Sequence, residues 1–165
     1  MRRSVLLLAL TMLTGAALVT ALVGTGSADH PGSQTLTFVE RNNLGTFRFV
    51  DLPPRQRGES VSAGDVAVGS NRLFDASNER RVGRFFFQCR AILGKRNFGR
   101  APFLCTGSFD LRGGTLHLEA LVRFNQDTIQ GAITGGTRAF EGASGGVTFD
   151  NRRRTSVDTV HFDTD

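Results

Sequence analysis

Alternation of apolar and polar residues is the feature that most limits how this chain can fold. Apolar side chains recur at every second position around residues 36–38, 85–93, 116–124, 147–149 and 160–162, and Glu40 and Asn42 continue the first of these alternations. Turn-forming residues separate such segments, as at Asn42–Gly45, Ser77–Asn78, Arg112–Gly114, Gly135–Gly136 and Asn151–Arg152. No stretch after Ala28 has helical spacing. About eight strands with short connections predict an all-β sandwich or barrel.

The N-terminal segment has the pattern of an export signal. Arg2 and Arg3 precede an uncharged apolar run from Val5 to Val23, and small residues follow at Gly26–Ala28. We therefore expect residues 1–28 to be a cleaved signal peptide, residues 29–165 to be one secreted (extracellular) domain, and no stable membrane insertion after cleavage. An uncleaved membrane anchor is the alternative, because the run is 19 residues long.

Cys89 and Cys105 are the two cysteines of the chain, and we expect them to form a disulfide in an oxidising compartment. They lie on two predicted strands whose connection is centred near Asn97, so pairing the cysteines also fits a hairpin. With 15 residues enclosed, such a bridge stabilises a fold by roughly 3 kcal/mol. No metal site is predicted, because none of the three histidines stands at ligand spacing from either cysteine.

The charge and the aromatic residues limit the kind of partner. Without residues 1–28 the chain has 18 Lys and Arg against 15 Asp and Glu, too small an excess to predict nucleic-acid binding. All 14 aromatic residues are phenylalanine, which buries area without needing polar partners. Such a set fits either a dry core or a chamber for a small apolar ligand.

A glycine-rich run at residues 132–147 connects two predicted strands. A phosphate-binding loop would need a following helix and usually a lysine, whereas this run is followed by a strand and contains no lysine. The order Ile133-Thr134-Gly135-Gly136, then Phe140-Glu141-Gly142, then Gly145 and Val147 resembles plant allene oxide cyclases and, more distantly, dirigent proteins. The resemblance implies an antiparallel eight-stranded β-barrel that forms a homotrimer.

Further segments are similar to the cyclases. Gly64-Asp65-Val66, Ser70 to Phe74 and Arg81-Val82-Gly83 follow a cyclase pattern, and Cys89 stands where the cyclases have a pocket cysteine. Glu40 and Asn42 match a pocket Glu-x-Asn. The resemblance implies an isomerase without a cofactor, with Glu40 as catalytic residue and with the substrate contacted by Asn42, Asn71, Phe38, Phe85 and Phe87. The chain departs from the cyclases where they have a Ser-Pro, and a disulfide at Cys89 removes the free thiol.

Two interpretations of Glu40 remain at this point. By alternation with Leu36 and Phe38, Glu40 lies on the apolar face, where a carboxylate needs a partner or a raised pKa, as a general base does. Alternatively it pairs with an arginine at the barrel rim. Three functions follow: an isomerase or cyclase acting on a lipid- or polyketide-like molecule, a non-catalytic barrel that orients an apolar ligand, and a structural secreted protein with a filled interior.

Overall fold

A computed structural model describes residues 32–53, 58 and 60–164. The predicted signal peptide, residues 1–28, lies outside these residues. Within them, the strands are β1 Gln34–Val50, β2 Val66–Phe74, β3 Arg81–Ala91, β4 Phe103–Leu111, β5 Gly114–Val122, β6 Thr128–Gly136, β7 Ser144–Asn151 and β8 Thr155–Asp163. Helical structure in this part of the chain is limited to two three-residue 3₁₀ turns, Phe98–Arg100 and Arg138–Phe140.

Each strand pairs antiparallel with the next, and β8 pairs with β1, so the sheet closes into a barrel. The predicted antiparallel eight-stranded β-barrel is therefore confirmed. Alternate residues point inward, as the sequence pattern predicted. In β5, for example, Leu116, Leu118, Ala120 and Val122 are all buried. Closure leaves no sheet edge exposed to pairing with other chains.

Large buried side chains fill the barrel at the end where β1 begins and β8 ends. Phe109, Leu116 and Phe162 are almost fully buried there, and the Phe109 ring lies 4.8 Å from the Phe85 ring. Such rings need no polar partner, so they pack as a dry core.

The segment Asn42–Gly45, which was predicted to be a turn, is instead part of strand β1. Arg41 pairs with Arg72 and Thr46 pairs with Ser70, so residues 42–45 of β1 have no regular partners and form a bulge. Four residues of β1 therefore stand opposite Asn71 alone. A bulge bends its strand and changes the direction of nearby side chains.

Asp65, part of the cyclase-like segment, has a structural position. It is buried, its Oδ1 atom accepts the Leu52 N–H at 2.8 Å, and its Oδ2 atom accepts the Ser62 N–H at 2.7 Å. These bonds fix both described ends of the long loop between β1 and β2. An aspartate at this position therefore serves to anchor the loop.

The glycine-rich run also has a structural explanation. A Cβ atom at Gly145 would overlap with the His161 carbonyl oxygen of β8, so β7 and β8 come too close there for a side chain. Gly142 has a φ of 74°, which glycine adopts without strain. Phe140, two residues before Gly142, is half-buried and packs on Phe162, near the end of β8.

Candidate active site

A cavity of about 460 Å³ occupies the other half of the barrel interior. Its wall is mainly aromatic and aliphatic, with two threonines and with further polar groups at two places. Deep in the cavity these are Glu40 and Asn71, and at its outer part they are Asn42, Asn151 and Arg152. The volume lies within the roughly 300–1,000 Å³ of small-molecule pockets. The interior is thus both core and chamber.

Glu40 lies on the inner face of β1, as predicted, and is only 6% exposed. Its Oε1 atom accepts a hydrogen bond from the Asn71 side-chain amide of β2. Among the residues that the structure describes, no arginine or lysine pairs with Glu40. The alternative interpretation, in which Glu40 pairs with an arginine at the barrel rim, is therefore wrong. Burial raises the pKa of Glu40, and the neighbouring Asp158 carboxyl group and the Asn71 amide oppose this rise.

Asp158 is the functional candidate that the sequence reasoning missed. It lies on the inner face of β8, is fully buried, and stands opposite Phe38 of β1 while Glu40 stands opposite Ser156. The Ser156 hydroxyl donates to its Oδ1 atom at 2.6 Å. Burial, together with the neighbouring Glu40 charge, raises the pKa of Asp158 well above its usual range. The barrel thus brings two carboxyl groups together beside an apolar cavity.

A sequence signal for Asp158 existed. Asp158 has the same strand parity as Val160 and Phe162, whose alternation marked this segment as a strand with an inner face. A carboxylate in such a position resembles Glu40 on β1. Asp158 is found by extending the alternation of Val160 and Phe162 two residues toward the start of β8.

Asn71 is held against Glu40 by the β1 bulge. Gly45 lies so close to Asn71 that an added Cβ atom would overlap with the Asn71 Oδ1 atom. The bulge therefore fixes the amide from the side opposite to Glu40. Asn42, in the same bulge, is exposed and lines the outer part of the cavity.

Phe85 and Phe87 line the cavity as predicted, whereas Phe38 does not. Phe38 lies deeper and packs on Phe109, with 5.6 Å between ring centroids. Two glycines make room for the cavity rings: an added Cβ atom would stand 2.5 Å from the Phe87 Cζ atom at Gly69 and 2.7 Å from the Phe85 Cε2 atom at Gly107. Substrate contact by these residues remains a prediction.

Cys89 and Cys105 form the predicted disulfide. They are direct partners across β3 and β4, and both line the cavity. The bridge therefore closes one wall of the chamber, and Cys89 offers no free thiol to a ligand.

Two histidines lie on the outer surface, away from the cavity. His117 and His161 are exposed and hydrogen-bond to Ser108 and Thr35, respectively. Among residues 32–53, 58 and 60–164, no three His, Cys, Asp or Glu side chains are grouped so that they could hold a metal ion. Over the same residues, no helix has the length and apolar character needed to span a membrane.

The chain resembles several solved structures in its fold. A pyocyanin demethylase matches with a TM-score of 0.61 and 18% identity, over 78% of this chain and 99% of that chain. A pterocarpan synthase dirigent protein matches with a TM-score of 0.60 and 16% identity, over 82% and 97%. The Diels-Alderase AbmU from Streptomyces koyangensis matches with a TM-score of 0.53 and 10% identity, over 83% and 70%.

No protein-family model and no curated protein sequence matches the chain. At these identities the structural matches establish the fold. The chain has the barrel fold of these proteins, the dirigent protein among them, and an eight-stranded barrel is the fold that the resemblance implied. The activity has to be argued from the cavity, because one fold hosts many functions.

Proposed function

We propose that this protein is an isomerase or cyclase that acts without a cofactor on a small, mainly apolar, lipid- or polyketide-like molecule inside the barrel. The observation that supports this most is the buried Glu40, hydrogen-bonded to Asn71, beside a cavity with aromatic walls. A buried acid in a cleft, with a raised pKa, is a common feature of catalytic sites.

The chemistry follows from what Glu40 can do there. As a carboxylate it takes a proton from a bound molecule or stabilises a positive charge that develops when an epoxide opens. The low-dielectric walls strengthen this interaction because little water screens it. An isomerisation is balanced without an outside reactant, since the proton removed at one atom of the substrate returns at another. Asn42 and Asn71 are the groups proposed to orient a substrate oxygen.

Binding is tested with the uncharged apolar dye Nile red. We expect its fluorescence to rise on binding to wild type and to be retained in Glu40→Gln, because the substitution keeps the side-chain shape. Glu119→Gln, an exposed carboxylate on the outer face of β5, is the control. If no variant binds the dye, the proposals of an enzyme and of a binder both fail.

Turnover is tested with an unstable epoxide of an unsaturated fatty acid generated in the assay. Wild type and Glu119→Gln should yield an excess of one enantiomer of the cyclic product, whereas Glu40→Gln should yield the racemate of uncatalysed closure. An unchanged excess in Glu40→Gln would make the acid a structural residue.

The alternative is a non-catalytic barrel that orients an apolar ligand, as dirigent proteins do, or a structural secreted barrel. The largely apolar cavity wall favours the first of these alternatives. It predicts dye binding that is identical in wild type and Glu40→Gln, and no enantiomeric excess from any variant.

We also propose that the protein is secreted as a homotrimer. The disulfide supports an oxidising compartment. Phe86 and Leu121 are exposed on the outer face as predicted, at 43% and 52%, and would gain from burial between subunits. Val39 was also expected there, but it is only 9% exposed because Phe74, its β2 partner, lies beside it. Cell fractionation tests export, and a monomer mass by light scattering would contradict the trimer.

A further inference from the structure

The oxygen atoms of Asp158 are satisfied unequally. Its Oδ1 atom accepts the Ser156 hydroxyl at 2.6 Å. Its Oδ2 atom is buried and has no hydrogen-bond partner among the described residues. An ionised carboxylate oxygen can only accept, so a buried one without a donor is strongly disfavoured.

A proton on Oδ2 removes this conflict. A protonated carboxyl group has an O–H to donate, and the acceptor beside it is the carboxylate of Glu40, the charged group that acts most strongly on Asp158. Two adjacent carboxylates cannot both ionise easily, and such pairs hold one proton between them.

The surroundings decide which member holds the proton. Glu40 already receives the Asn71 amide, a donor that favours its ionised form. Asp158 is more deeply buried and has the phenylalanines Phe38 and Phe149 as its partners on β1 and β7. The charged groups that act on it are Glu40 of β1 and Asp150 of β7, both acidic. The burial, the two phenylalanines and the two acidic groups disfavour a charge on Asp158, and they outweigh the opposing effect of the Ser156 hydroxyl.

We propose that Asp158 stays protonated at neutral pH and donates a hydrogen bond from Oδ2 to Glu40, so that the two residues share one proton beside the cavity. Asp158 is then a positioning residue that keeps Glu40 a carboxylate in an apolar environment. In the proposed isomerase, on which this step rests, Glu40 gains a proton from the substrate, the pair holds two protons, and the proton is returned to the product.

Carboxyl ¹³C NMR of the full chain tests the protonation directly and needs no substrate. With only aspartate carboxyl carbons labelled, we expect one resonance to keep the shift of a protonated acid at pH 7 while the exposed aspartates have titrated. With only glutamate labelled, no resonance should do so. Failure of the proposed function would leave this result untouched.

Variants assign the resonance. Asp158→Asn should remove it, Ser156→Ala should shift it, and Asp110→Asn, an exposed aspartate of β4, should leave it unchanged. If Asp158→Asn does not fold, the shift in Ser156→Ala makes the assignment. The proposal is overturned if every aspartate is ionised at pH 7, if the protonated resonance is a glutamate, or if Ser156→Ala leaves it in place.

Discussion

The β1 bulge offers a direct test of how the site is held together. Gly45→Ala adds a Cβ atom that would overlap with the Asn71 Oδ1 atom and the Ser70 carbonyl oxygen and stand 2.9 Å from Asn71 Cγ. The Ser70 oxygen is backbone and cannot rotate away. We therefore expect the bulge to shift and the Asn71 amide to leave Glu40.

Two unfavourable contributions and one favourable contribution set the change in the free energy of unfolding. Overpacking of this kind costs about 1–3 kcal/mol, and a lost hydrogen bond to a charged group costs about 1.5–3 kcal/mol. Replacing glycine also restricts the unfolded chain, which offsets about 0.4–1 kcal/mol. The free energy of unfolding should therefore fall by about 2–5 kcal/mol.

Urea denaturation of the oxidised protein measures this change, with Gly146→Ala as the matched control. A Cβ atom at Gly146 would have its nearest neighbour, the Gly131 carbonyl oxygen, at 3.8 Å, so this variant should be neutral or slightly more stable. If Gly45→Ala is as stable as Gly146→Ala, the bulge does not hold Asn71 in place. Nile red binding to both variants shows whether the cavity itself changes.

Three further predictions concern charge and covalent structure. Because burial raises the pKa of Asp158, the folded chain holds protons that the unfolded chain releases above pH of about 4. The stability advantage of wild type over Asp158→Asn should therefore be largest at low pH and decrease as the pH rises, whereas a constant difference between pH 4 and 8 would contradict the raised pKa. The Cys89→Ala/Cys105→Ala variant, which opens a 16-residue separation, should lose about 3 kcal/mol but keep its β-type circular dichroism, and a helical or unfolded spectrum would show that the bridge determines the fold. Asp65→Ala leaves two backbone N–H groups without their acceptor and should cost about 3 kcal/mol or more, whereas Asp110→Ala on the surface should stay within about 0.5 kcal/mol of wild type.

Strand parity made most of the barrel predictable. The inner positions of β3 and β5 follow from alternation alone, and the Cys89–Cys105 pair follows from the centre of its hairpin. Parity also placed Glu40 inside the barrel. These are local features, because a strand's period and a short hairpin are set within about 20 residues of sequence.

The features that the sequence did not reveal depend on pairing between distant residues. Asn42–Gly45 has the composition of a turn, and only the pairing of Arg41 and Thr46 with β2 keeps it within one strand. Phe38 has the inward parity that was predicted, but it packs on Phe109 of β4 and is not among the residues that line the cavity. Parity says which face a side chain occupies and leaves its depth along the barrel undetermined.

The pairing of β1 with β8 has the largest consequence for function, since it brings Glu40 together with a residue more than 100 positions away. Apolar side chains of similar volume at Glu40 and Asp158 would often serve stability equally well or better, because two buried carboxyl groups carry a large desolvation penalty. Their stabilising partners are modest, an amide on Glu40 and a hydroxyl on Asp158. Stability thus gives little reason for this pair beside the cavity. A reaction that moves a proton does, because it needs an acid group whose pKa lies near the working pH.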